Sequence, residues 1–298
     1  MTEVLTAPEH NRERRVILAK LGLDRYLENR TCVDLGDLPV HCELYPSSSK
    51  DPVILFIPGI GTYSEIYTEF LSRFSQQGYN LISVDLRGHG YSGGSRGEYT
   101  VEEVIEDLGL VLDYADENFA GPVIVFGCSI GARLGLALAE ADQRVKALIC
   151  HTLFISESPP DVMHSLGWNW LSISSMWMPS LKTDFRNFID VNDLLENNPM
   201  GQYADKDDLM VWEYSVKTLN SVFSYPSNIL KKSLNIPSMI LVGEKDDVIT
   251  PDYIGSLIKE SKHPFDLKEI PGAAHMLPFD HIEECIIECN QWLDNAEF

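Results

Sequence analysis

The sequence predicts an α/β fold: a mostly parallel central sheet covered by helices on both faces, with one cap inserted into it. Three observations predict this. Short, continuous apolar runs recur along the chain, as strands buried on both faces require. Segments of helical period separate them, so successive strands lie parallel and the crossovers cover the sheet. The alternation then breaks once, between about residues 154 and 235, where Ser, Pro, Asn, Trp and Met dominate.

The elements follow in chain order. A helix is expected around Arg14 to Tyr26, then short strands at Cys32–Leu35 and Val40–Tyr45. Val53–Ile57 is the first doubly buried run, followed by Leu81–Leu86, Val123–Phe126, Val145–Cys150 and Met239–Val242. The clearest helix begins at Thr100, where Thr100 and Glu103 form a capping-box pattern. Val101, Val104, Ile105, Leu108 and Leu112 then share one face. A small-residue helix covers Ala132 to Ala139. After the interruption the pattern resumes at Ile236 with a strand, a helix, a short strand (Phe265–Ile270) and a last helix from about Asp280. The expected division is a core of residues 1–153 and 236–298, with a largely helical cap at 154–235.

Composition limits the function. The chain has 298 residues, with 45 acidic against 23 basic side chains and a net charge of −22. Such a surface repels a phosphate backbone, so nucleic acid is excluded as a partner. Docking by charge onto an anionic membrane is disfavoured too. No stretch reaches the roughly 18–20 apolar residues of a membrane span. The first 21 residues lack the apolar core of a signal peptide. Six cysteines without a C-x-x-C pair fit neither a disulfide framework nor a metal site, and Cys285 and Cys289 read as small buried side chains on one helix face. The expected setting is a reducing cytoplasm and the expected ligand a small molecule.

The most informative stretch is Val123 to Gly131, a G-x-S-x-G sequence between a doubly buried strand and a helix. That context gives the pattern meaning, because a serine on a tight strand-to-helix turn projects its hydroxyl into the open. Gly127 and Gly131 remove the Cβ atoms that would clash there. The N–H of Ile130, at the helix start, can donate to a developing oxyanion. Ser129 is therefore the candidate nucleophile.

With four further motifs, the chain resembles the serine hydrolases of the α/β-hydrolase superfamily, and within it the monoacylglycerol lipase and lysophospholipase-like group. These motifs are Pro58-Gly-Ile-Gly61, Asp85-Leu-Arg-Gly-His-Gly-Tyr-Ser92 with Arg96-Gly97, Gly243-Glu-Lys-Asp246 and Pro271-Gly-Ala-Ala-His275. The resemblance implies the α/β-hydrolase fold and a Ser-His-Asp triad. It makes Ile60 the second oxyanion N–H donor, although proline stands at position 58 where the group has histidine. It places the acid three residues beyond Gly243, at Asp246. Counting back from Pro251 favours Asp247 instead, so both stay open, with Asp246 preferred because strand exit fixes its position. His275 is the expected general base. His281 reads as a helix-cap residue and His89 as structural. His10, His41, His151, His164 and His263 show no ligand spacing, so neither a metal nor a cofactor is expected. Cys128 should point inward and is set aside as a nucleophile.

The implied reaction is acyl transfer to water through an acyl-enzyme. The expected substrate is a small-molecule ester or thioester, with an acyl-chain-bearing one included. A thioesterase, an acyltransferase, a peptidase or a C–C hydrolase would use the same triad, and a ligand-binding receptor with little turnover would keep the fold. The oligomeric state stays open. Four of the five tryptophans and five of the eight methionines fall within 154–235. Trp168, Trp170, Met176, Trp177 and Met178, then Phe185, Phe188, Tyr203, Met210, Trp212 and Tyr214, are expected to seat the cap on the core, some of them lining an acyl-chain pocket.

Overall fold

Strand β4 (Val53–Ile57) shows how both faces of the sheet are buried. Val53, Leu55 and Ile57 enter one core and Ile54 and Phe56 the other, all at most 1% exposed. The computed structural model describes residues 4–5, 12–187, 195 and 198–296. Phe188 and His10 lie outside these described residues. The remaining sheet strands are β1 (Val4–Leu5), β2 (Thr31–Leu35), β3 (Val40–Tyr45), β5 (Asn80–Val84), β6 (Val123–Cys128), β7 (Val145–His151), β10 (Ser238–Gly243) and β11 (Asp266–Ile270). Among the described residues they form one nine-stranded sheet in the order β1-β2-β3-β5-β4-β6-β7-β10-β11. The run from β5 to β11 is parallel, and β1 to β3 extend one edge in antiparallel pairing.

Helices supply the two covering layers. Helix α1 spans Arg12–Lys20, α2 Thr68–Ser75, α3 Val101–Asn118 and α4 Ile130–Ala141. Val104, Leu108 and Val111 of α3 and Leu134 and Leu138 of α4 fill the first core. Phe70 and Phe74 of α2 fill the second with Phe56 and Phe126, and the Phe56, Phe70 and Phe126 rings sit 5.5–5.7 Å apart. The capping box forms as expected: the Thr100 N–H donates to Glu103 at 2.8 Å, and the Glu103 N–H to Thr100 at 3.3 Å. The N-terminal helix is shorter than expected. Gly22, at φ 69°, ends it, and Asp24–Tyr26 form a separate 3-10 turn.

Between β7 and β10 the described residues form the segment we call the cap. It holds α5 (Val162–Trp177), α6 (Val216–Ser224), several short turns and a ribbon of β8 (Lys182–Asp184) against β9 (Glu213–Ser215). Trp168 stacks on Phe223 and packs tilted against Phe154, 5.7 Å from each ring, and the two phenylalanine rings are 5.4 Å apart. The opposite side of α5 is open. Val162, Met163, Met176 and Trp177 are 72–81% exposed, and Leu166, Trp170 and Ile173 more than half. Thus Trp168 seats the cap, whereas Trp170, Met176, Trp177 and Met178 face solvent.

The cap is also tied down by charge. Asp207 accepts from Arg14 at 2.8 Å and from the Tyr63 hydroxyl at 2.7 Å. Arg14 also pairs with Glu65, and Arg30 bridges Glu65 and Glu43 at 3.1 and 2.7 Å. Beyond the cap lie α7 (Pro251–Glu260), α8 (Leu277–Asp280) and α9 (Ile282–Leu293), the last burying Cys285 and Cys289 on one face. All six cysteines are buried and free.

Because Phe56 is fully enclosed by aromatic neighbours, Phe56→Ala should cost about 3–5 kcal/mol. A lower urea midpoint with an unchanged slope would report that loss.

Candidate active site

Ser129 occupies the turn between β6 and α4 in a strained backbone, at φ 54° and ψ −115°. Such a conformation costs a non-glycine residue about 1–3 kcal/mol and persists only where its surroundings dictate it. Here they do. The Ser129 N–H donates to the His151 carbonyl at 2.8 Å, and the Ala132 N–H to the Ser129 carbonyl at 2.9 Å. A Cβ on Gly131 would lie 2.1 Å from the Ile57 carbonyl oxygen, and one on Gly127 2.3 Å from the Ala132 Cα. The turn can be this tight only with glycine at both positions.

His275, in the loop after β11, reaches over to this serine. Its Nε2 is 3.2 Å from Ser129 Oγ, and its Nδ1 is 2.8 Å from an Asp246 carboxylate oxygen. Asp246 follows β10, and its other oxygen accepts the Val248 and Ile249 N–H groups at 2.9 Å each. Burial opposes the charge on Asp246, but the hydrogen bond from His275 and the backbone donors outweigh it and hold the carboxyl below its usual range. Asp247 is exposed, and the carboxylate against His275 is that of Asp246.

The Gly59–Thr62 turn lies beside the serine, where a Cβ on Gly59 would be 3.5 Å from the Cys128 carbonyl oxygen. The Gly59 carbonyl accepts from the Thr62 N–H at 3.3 Å and from its hydroxyl at 2.8 Å. Gly61 has φ 75°, the positive value a type II turn requires at its third residue. Among the described residues, neither the Ile60 nor the Ile130 N–H has a hydrogen-bond acceptor.

Cys128 is fully buried, its sulfur 3.2 Å from His151 Nδ1, and burial pushes its thiol up to about 12. It points away from the open side, as expected. His151 was not singled out by sequence, yet its ring lies 5.4 Å from that of His275. Tyr214 of β9 was anticipated only as one of many cap aromatics. It is fully buried, and its hydroxyl meets both the Gly61 N–H and His89 Nε2 at 2.7 Å. No spacing signal marks either residue. The Asp85–Ser92 loop is held by Asp85, which accepts the Ser64 and Tyr91 N–H groups at 2.8 and 2.9 Å, and by Arg96, which donates to the Gly88 and Gly90 carbonyls. Of the other histidines, His164 lies in the first turn of α5, where its N–H and ring meet the capping Asp161, and His281 lies near Glu284. Among the described residues, no three His, Cys, Asp or Glu side chains gather as a metal site would need.

A parallel sheet of this order, with its serine turn after one central strand and a histidine loop after the last, defines an α/β hydrolase. More narrowly, the chain belongs to the family described as Hydrolase_4, serine aminopeptidase S33, which matches residues 48–282. Its fold is similar to that of a soluble variant of monoglyceride lipase from Saccharomyces cerevisiae. That match has a TM-score of 0.72 and 19% identity, over 90% of this chain and 95% of the other. The monoacylglycerol lipase of Paleococcus ferrophilus matches with a TM-score of 0.68 and 23% identity, over 85% and 98%. In sequence, an uncharacterised abhydrolase domain-containing protein of Dictyostelium discoideum is 34% identical over 92 residues. The matched stretch is 30% of this chain and 10% of that protein.

Three buried histidines make stability depend on pH. Burial lowers His89 and His263 to about 4 and His151 to about 3. Unfolded histidine titrates near about 6.5, so below that pH the unfolded chain takes up protons the folded chain refuses. Stability from these groups is complete above about 6.5 and falls as pH drops through 4, by about 1.4 kcal/mol per pH unit for each histidine. Urea titrations from pH 7 to 4.5 should show this slope, made shallower by about one proton in His263→Gln.

Proposed function

We propose that the protein is a serine hydrolase of carboxylic esters, with Ser129, His275 and Asp246 as its triad. The observation that carries this is the placement of the His275 ring between Ser129 Oγ and the Asp246 carboxylate, at 3.2 and 2.8 Å. In this reading His275 takes the proton of Ser129 as its oxygen attacks the substrate carbonyl. The Ile60 and Ile130 N–H groups receive the oxyanion. His275 then protonates the leaving alcohol, and water, deprotonated by the same imidazole, releases the acid. Asp246 holds the ring in the required tautomer and stabilises its positive charge. We assign the cap to 154–235 and the core to the flanking segments.

The substrate class follows from surface chemistry. The net charge of −22 opposes an anionic substrate aggregate, whereas α5 carries no Asp, Glu, Lys or Arg and presents an apolar stripe. Both support a neutral ester with an apolar acyl chain. Buried free thiols support a cytoplasmic setting. One second reading has its own support: the family description names an aminopeptidase, and the same triad cleaves amides.

The test is a fluorophosphonate probe with peptide mapping, followed by p-nitrophenyl esters of two to twelve carbons and amino-acid p-nitroanilides. Label on Ser129 and turnover rising with acyl length are expected, with Ser129→Ala silent in both assays. Faster cleavage of the anilides would install the peptidase reading, and an unlabelled wild type would remove the triad. Asp246→Asn should lower kcat by about 10⁴-fold, while Asp247→Asn stays within a few-fold of wild type.

A further inference from the structure

The turn that carries Ile60 is not held by the core alone. Both backbone groups of Gly61 bond to the cap: its N–H donates to the Tyr214 hydroxyl at 2.7 Å, and its carbonyl accepts from the Val211 N–H at 2.9 Å. Contact is too close for any side chain at position 61, where a Cβ would lie 2.8 Å from the Val211 carbonyl oxygen and 3.1 Å from the Trp212 ring. Tyr214 is itself fixed. Its side chain is 0% exposed, its ring packs against His89, Tyr99 and Phe185, and its neighbour Ser215 donates through N–H to the Gly97 carbonyl at 3.1 Å.

The hydrogen atoms along this chain can be assigned. His89 Nδ1 lies 3.0 Å from the Arg87 carbonyl oxygen, which only accepts, so Nδ1 carries the ring proton. Burial keeps the ring neutral. Nε2 is then an acceptor, and the Tyr214 hydroxyl donates to it at 2.7 Å. That leaves the phenol oxygen to accept from Gly61. The relay runs one way, from Gly61 N–H through Tyr214 to His89 and the Asp85–Ser92 loop, and each bond polarises the next.

We propose that Tyr214, backed by His89, is a positioning residue for the oxyanion turn, so that the cap sets the geometry of the reaction centre. This rests on the triad reading above. The Ile60–Gly61 peptide is the one that turns over between type I and type II turns. Tyr214 accepts from its N–H and so holds the type II orientation. The adjoining Gly59–Ile60 peptide, which carries the candidate oxyanion donor, is held at its carbonyl by Thr62. Without the phenol oxygen, the buried Gly61 N–H has no acceptor unless its peptide turns over, which changes ψ at Ile60 and loosens the turn that carries the candidate donor.

The experiment compares wild type, Tyr214→Phe, His89→Leu and His89→Gln with a soluble p-nitrophenyl ester and a trifluoromethyl ketone, whose adduct with a serine carries an oxyanion. Complete loss of one such donor costs about 10²- to 10³-fold. Tyr214→Phe should lower kcat by about 10- to 100-fold, leave KM within about twofold, and weaken the ketone by the same factor as kcat. His89→Gln, whose amide can donate to Arg87 and accept from Tyr214, should keep more of the rate than His89→Leu. Melting temperature and near-ultraviolet circular dichroism identify a variant that misfolds; the histidine pair then carries the test. An unchanged kcat in Tyr214→Phe or His89→Leu overturns the proposal, as does a rise in KM without a fall in kcat. A wild type that neither turns over ester nor accepts a fluorophosphonate removes the triad reading instead.

Discussion

The strained backbone of Ser129 is the constraint on which the rest of the site depends, because its hydroxyl is open only in that conformation. The left-handed φ of a serine has to be imposed by rigid surroundings. They are the sheet itself. The His151 carbonyl that receives the Ser129 N–H belongs to the last residue of β7, and its position is set by the parallel pairing of β6 with β7. The Ile57 carbonyl that leaves no room for a side chain at 131 ends β4, the neighbour on the other side. Burial of three adjacent strands on both faces therefore has a local consequence: it leaves one narrow place where a strand-to-helix turn can form.

All the site segments leave the carboxyl ends of parallel strands, where open α/β sheets gather their functional loops. The Gly59–Thr62 turn follows β4, Ser129 follows β6, Asp246 follows β10 and His275 follows β11. Sheet order then sets a problem, since β7 separates β6 from β10 and the imidazole must cross its end. The chain turns sharply just there. Thr152 adopts φ 54°, and its N–H bonds to the Leu241 carbonyl at 2.9 Å. His151, below that turn, is buried with its ring against His275. The crossing thus rests on a packed floor that the nucleophile motif alone does not reveal.

How much could be read from sequence follows from which interactions are local. Doubly buried strands appear as apolar runs, and Thr100 with Glu103 announces a helix start, because those preferences act within a few residues. Ser129 and His275 were legible for a related reason: a tight turn demands glycines at fixed offsets, and a small-residue loop after the last short strand points to one histidine. For the acid, strand exit favoured Asp246, while the offset from Pro251 pointed to Asp247. Adjacent residues leaving a strand point to opposite sides, and only the path of the following backbone, which bonds Val248 and Ile249 to Asp246, selects between them. The cap was legible as a change in composition but not in its detail. Trp168 and Trp170 are two apart on one helix, one buried at 9% and the other 54% exposed, according to which side meets Phe154 and Phe223. Tyr214 was least legible of all, since its partners Gly61 and His89 lie 153 and 125 residues away.

These cap features bear on one another. Helix α5 carries the exposed stripe and packs on α6, and α6 continues directly from β9, the strand that holds Tyr214. The Ser215 side chain caps α6 through the Thr218 N–H, one residue from the phenol that holds Gly61. Helix α5 is therefore linked through α6 and β9 to the Gly59–Thr62 turn. The acidic surface gains a sharper meaning in this frame. With no charged residue on α5, the charge of −22 is carried elsewhere. It keeps the rest of the molecule hydrated and leaves α5 as an exposed apolar face of the cap.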